Sequence, residues 1–146
     1  MNSPRSDTRG KILEAAGCLF AQKGFFGVSM QNIADELGIT KAALYHHFES
    51  KEGLCFEIMH RAFKELTVTL GNAVKDSRSP SEALFRVVDA YLSFTAKRPQ
   101  ANLLFTKGSD DLSQRINTLV VKAHNEMRQI LEEIIAGILE KRKRNR

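Results

Sequence analysis

Residues 24–54 read GFFGVSMQNIADELGITKAALYHHFESKEGL, and they decide the fold. Ser29 stands before Met30, Ile33, Ala34 and Leu37, so a short amphipathic helix starts at a hydroxyl cap and is stopped by Gly38. The pair Gln31-Asn32 sits where a capping partner belongs. Thr40 caps the next stretch, KAALYHHF, which ends at Glu49-Ser50, and Ser50 in turn caps a long helix expected to run through Leu70. Two helices joined by a tight glycine-containing turn form a helix-turn-helix over residues 29–48. The second helix is left half exposed, with its N-terminal residues free to enter a groove. Ile33, Ala34, Leu37, Ile39, Leu44 and Phe48 are spaced to bury one side. Thr40, Lys41, Ala42, Ala43, Tyr45, His46 and His47 then face outward or lie at the rim. Hydroxyl, ammonium, phenol and imidazole groups around two small residues suit close approach to a duplex.

Outward from this stretch the periodicity is helical almost throughout. Ile12, Leu13, Ala16, Leu19 and Phe20 predict an amphipathic helix over 8–22 that Gly24 ends in a left-handed cap. Ser79-Pro80-Ser81-Glu82 combines a cap, proline at the first helical position and a glutamate three after the cap; the helix runs to about Lys97, where Pro99 breaks it. A short helical turn over 100–107 is closed by Gly108, and apolar positions from Leu112 to Ile138 carry a last helix from 109 to about 140. The fold class is all-α. A three-helix domain at 1–49 precedes a helical region at 50–146 that ends in the basic tail KRKRNR.

The net charge of +5 is not an argument for nucleic acid, because of where it lies. Through Glu65 there are eight Lys/Arg and eight Asp/Glu, and the excess is C-terminal, with Lys141, Arg142, Lys143, Arg144 and Arg146 in the tail. Motif geometry has to carry that reading instead. No run approaches the roughly 18 apolar residues of a membrane span, and MNSPRSDTRGK has no signal-peptide core, so a cytoplasmic protein is expected. Cys18 and Cys55 are read as reduced, buried or half-buried thiols. There is no phosphate loop, GxGxxG or GxSxG, hence no enzyme, no catalytic residue and no cofactor is expected. His46 and His47 point about 100° apart without a third ligand nearby, so no metal is expected either.

The same 24–54 run resembles the N-terminal motif of TetR/AcrR transcriptional regulators through Gly24, Gly27, Ile33, Ala34, Gly38, Leu44, Tyr45, Phe48, Lys51 and Leu54. The resemblance implies a transcription regulator, in the first instance a repressor, that binds double-stranded DNA at a palindromic operator as a homodimer under the control of a small, largely apolar effector. It places Ser29 and Gln31 at phosphates and Thr40, Lys41, Ala42 and Ala43 at the start of the recognition helix. Tyr45, His46 and His47 go to phosphates or base edges and Lys51 to a phosphate. Many members carry Gly or Pro at position 42 and Ser or Thr at 43; alanine at both leaves the operator sequence open.

Beyond residue 54 the resemblance is architectural. Family members continue with further helices, so the ligand and dimerisation region looks shortened, as in a C-terminally truncated form. Pocket candidates are Phe63, Leu66, Val88, Tyr91, Leu92, Thr95, Phe105, Ile116, Val120, His124 and Met127. Most of them read equally well as core, and only Tyr91, Thr95 and His124 hint at oriented binding. Ile130, Leu131, Ile134, Ile135, Ile138 and Leu139 offer more apolar surface than one packed face needs, which predicts a homodimer built partly on the last helix. The alternative is a helical protein–protein interaction module without specific DNA binding.

Overall fold

A computed structural model describes residues 4–105 and 114–146, the side chains of 4–7 and 103–105 lying outside the description. The described residues form α1 (Pro4–Lys23), α2 (Met30–Leu37), α3 (Lys41–His47), α4 (Lys51–Lys75), α5 (Pro80–Lys97), a 3-10 segment (Pro99–Phe105) and α6 (Gln114–Arg144). There is no strand among them, so the expected all-α class is the observed one.

Helix ends follow the capping chemistry. Gly24 has φ +75° and donates its N–H to the Phe20 carbonyl at 2.8 Å, closing α1 as expected. At its other end α1 begins at Pro4, four residues before the expected start, since proline at a first helical position is pre-set for the helix. Ser79 caps α5 by accepting from the Glu82 N–H at 3.2 Å. The Glu82 carboxylate accepts in return from the Arg78 N–H at 3.0 Å and from Arg86 at 2.8 Å. The backbone bond, then the arginine, hold this carboxyl below its usual range. Ser50 caps α4 by accepting from the Gly53 N–H at 3.0 Å. That helix passes through Gly71 and Asn72 to Lys75, five residues beyond the expected end.

The chain runs up α4, down α5 and up again along α6. The register is visible in pairs: Arg115 lies over Phe56, Lys122 over Phe63, and Thr67 donates to Glu126. Near the far end, a Cβ on Gly137 would stand 3.0 Å from Pro80, so α6 meets the start of α5 with nothing between. The expected first residues of the last helix, 109–113, and its preceding Gly108 lie outside the described residues.

One apolar cluster runs from Ile12 and Phe20 through Leu54, Leu66 and Leu70 to Val87, Ile116 and Ile134. The 3-10 segment plugs its base: Ala101 is fully buried, and Gly17 of α1 approaches so closely that a Cβ there would lie 3.2 Å from the Gln100 Cβ. Cys55 is buried as expected, 3.8 Å from the Met59 sulfur. Desolvation pushes its thiol up to about 12 although the Lys51 charge opposes this. Cys18 corrects the sequence reading. It is exposed, because at 100° per residue it falls opposite the stripe of Ile12, Ala16 and Phe20. No helix among the described residues is long and apolar enough to cross a membrane.

Candidate nucleic-acid interface

The helix-turn-helix is closed by its own side chains. Ser29 Oγ accepts from the Asn32 N–H at 3.0 Å and Asn32 Oδ1 accepts from the Ser29 N–H at 2.9 Å, so the capping partner is Asn32 rather than Gln31. Gly38, at φ +64°, turns the chain and donates to the Asp35 carbonyl, while Ile39 donates to Ala34. Thr40 Oγ1 then accepts from the Ala43 N–H at 3.0 Å to start α3.

Burial divides α3 as its periodicity predicts. Leu44 is fully buried and Phe48 nearly so, whereas Thr40, Lys41, Ala42, Ala43, Tyr45 and His46 are exposed. His47 is half-buried, its ring edge-on to His46 with centroids 5.4 Å apart. Ser29 and Gln31 are exposed on α2, and Gln31 already donates to Asp35 at 2.7 Å. The polar groups therefore share one side of a short helix whose other side is anchored.

Two anchors were not legible beforehand. Arg9 of α1 donates to the His47 carbonyl at 3.0 Å, pairs with Glu57 of α4 and lies 4.1 Å over the Phe48 ring. Glu57 also accepts from Arg61 at 2.9 Å, so one guanidinium ties the end of α3 to α1 and α4 together. Lys51, expected at a phosphate, turns toward the fold. Its ammonium donates to the Phe25 carbonyl at 2.9 Å and sits 4.1 Å over the Phe25 ring, clamping the α1–α2 loop. Nothing local in the sequence marks either role, since the partners are 26 to 48 residues away.

Farther up, α5 and α6 flank a groove of about 590 Å³. Of the expected pocket residues, Val88, Tyr91, His124 and Met127 line it, and Leu92 is exposed. Phe63, Leu66, Ile116 and Val120 do not line it; they are buried in the core. The Thr95 hydroxyl donates back to the Tyr91 carbonyl at 3.0 Å, and the Phe105 side chain lies outside the described residues. Val87, Arg128, Leu131, Glu132 and Ile135 complete the lining and were missed as pocket residues. Arg128 and Glu132 pair with each other at 3.0 Å across one turn of the rim.

The sequence profile of bacterial regulatory proteins of the tetR family matches residues 12–58, from the middle of α1 to the first turns of α4. A transcriptional repressor from Rhodococcus jostii (strain RHA1), KstR2, is 36% identical over 64% of this chain and 52% of its own length. The chain spans about half the length of the curated relatives it matches. Among solved structures, PfmR from Thermus thermophilus, a TetR family transcriptional regulator, is 32% identical with a TM-score of 0.77, over 89% of this chain and 71% of that one. AibR, solved in complex with isovaleryl coenzyme A and operator DNA, is 26% identical with a TM-score of 0.72, over 88% and 70%.

Proposed function

Because the chain belongs to the tetR family of bacterial regulatory proteins, we propose that it is a sequence-specific DNA-binding transcriptional regulator in which α3 reads the major groove. The observation that carries this is the division of α3: a polar face from Thr40 to His46, free of large apolar groups except the amphipathic Tyr45, on a helix fixed from behind by Leu44 and Phe48. Thr40, Lys41, Ala42 and Ala43 enter first, Tyr45, His46 and His47 reach phosphates or base edges, and Ser29 and Gln31 contact the backbone from α2. Lys51 has two further donors beyond the one given to Phe25, enough for a phosphate at the rim. Repression is the sense carried by the name of the R. jostii relative.

Residues 1–49 act as the reading head and 50–146 as the controlling region in this proposal. The α5–α6 groove takes a small, largely apolar effector, with Tyr91 and His124 as its polar contacts; AibR, solved with both an acyl thioester and operator DNA, supports such a pairing. A homodimer sets two heads on two half-sites, and the exposed Phe85, Leu92 and Leu139, with Ile135 of the groove lining, are the surface a second copy would cover, roofing the groove. The effector relieves repression only through its unequal affinity for the two head spacings.

The test is duplex binding by the full chain, using sequences selected from a random pool. Lys41→Ala and Tyr45→Phe are expected to weaken selected-duplex binding at an unchanged melting temperature. Binding that is indifferent to salt and to both substitutions would favour the protein-interaction module instead.

A further inference from the structure

We infer that the cleft between α4 and α6 is a binding site for a phosphorylated small molecule. It lies on the other side of α6 from the apolar groove, with a volume of about 480 Å³. Arg115 and Lys122 line it from α6, His60 from α4, and Phe56 and Leu119 supply an apolar floor.

Among the described residues the charge is uncompensated. Arg9, Arg61, Arg86, Arg98 and Arg128 each hold a carboxylate. Arg115 and Lys122 make no ion pair among the described residues; they rest instead over the Phe56 and Phe63 rings, at 3.9 and 5.7 Å. Among the described residues no carboxylate lines the cleft, and Glu126, one turn beyond Lys122, accepts from Thr67. The other cavities differ on this point. At the α1–α4–3-10 junction Arg61 and Arg98 are neutralised by Glu57 and Glu65, and the α5–α6 rim pairs Arg128 with Glu132.

Geometry selects the anion. Residues 115 and 122 are two turns apart on one face of α6, roughly 10 Å along its axis, a gap their long side chains can close onto one group. The Arg115 guanidinium lies 3.9 Å over the Phe56 ring, itself stacked at 10° on His60, and a guanidinium held over a ring by its face can still donate along its N–H edges. A carboxylate would use one of the two cations. A phosphoryl group, close to two negative charges with three acceptor oxygens, uses both and leaves its organic part on the floor of Phe56 and Leu119.

Phenyl phosphate is the probe, titrated into the full 146-residue chain at constant ionic strength while the His60 imidazole resonances are followed, with phenol as the uncharged control. Saturable shifts with phenyl phosphate and none with phenol are expected. Arg115→Gln and Lys122→Gln, both at exposed positions, are expected to weaken binding at least tenfold with unchanged melting, and Lys122→Arg to retain it. Absence of saturation, or equal binding by the glutamine variants, overturns the proposal. So does a parallel loss of random-sequence duplex affinity in those variants, which would put the cleft on a nucleic-acid path instead.

Discussion

In the three N-terminal helices the large apolar side chains point inward, Phe26 and Tyr45 excepted, whereas α5 and α6 leave Phe85 at 73%, Leu92 at 59% and Leu139 at 51% of their surface in solvent. The contrast lies in the helices themselves. α1 carries one apolar stripe and covers it with α2, α4 and the 3-10 segment. α5 has a narrow polar stripe of Glu82, Arg86, Asp89, Ser93 and Lys97 and is apolar over most of the rest: Ala83, Val87 and Phe94 face the core while Phe85, Val88 and Leu92 face out. A helix whose apolar sector is wider than its contact with its own core is suited to a further covered position. The apolar side of α1–α3 is thus covered within the fold, by α4 and the 3-10 segment as well as by one another, whereas α5 and α6 present a surface made to be met.

The comparison breaks most directly in the head's core. Leu44→Ala or Phe48→Ala is expected to cost about 2 to 5 kcal/mol, seen as a fall in the denaturant midpoint. A melting curve within a degree of the parent would mean the faces of α3 are reversed. Next in size is Cys55. Its thiol stays neutral in the folded chain up to about 12, while in the unfolded chain it ionises near its ordinary value of 9.0. Its contribution is therefore complete below about 9 and is lost as pH rises toward 12, at about 1.4 kcal/mol per pH unit. Cys55→Ala is expected to flatten that alkaline slope, and an identical slope in the variant would remove the assignment. At the start of the same helix, Lys51→Ala should lower stability by about 1 kcal/mol through the lost bond to the Phe25 carbonyl; melting as unaffected as that of Lys41→Ala would return Lys51 to the DNA side alone. Smallest on stability are Phe85→Glu and Leu92→Glu, within about 0.5 kcal/mol, since neither side chain is covered. Light scattering is where they act: self-association present in the parent and absent in both variants is the expected pattern. A parent that stays monomeric at tens of micromolar would detach this face from self-assembly.

These outcomes bear on how far a sequence can be read. Ser29, Gly38, Thr40, Ser50 and Ser79 act through neighbours three or four residues away, so the starts and stops they mark were legible in the sequence. The α4 terminus was not, because Gly71 and Asn72 look like a stop locally while the packing of Leu70 and Ala73 carries the helix on. Arg9 and Lys51 owe their roles to carbonyls far along the chain, which no spacing rule reports. Pocket residues failed in a third way. Val88 and Phe63 are equally apolar and equally well placed on their helices, and only the relative rotation of α4, α5 and α6 sends one to a groove and the other inside.

The approach of Gly17 to Gln100 makes the joint between the two regions one without clearance. Where two elements meet through long, supple side chains, a shift of half an ångström is taken up by rotamers and disappears. Here α1 brings no side chain of its own to the contact, and its backbone rests on the Gln100 side chain of the 3-10 segment and on Ile58 of α4. A single added methyl at position 17 acts as a shim: either the Gln100 side chain gives by a few tenths of an ångström or α1 is held off the 3-10 segment.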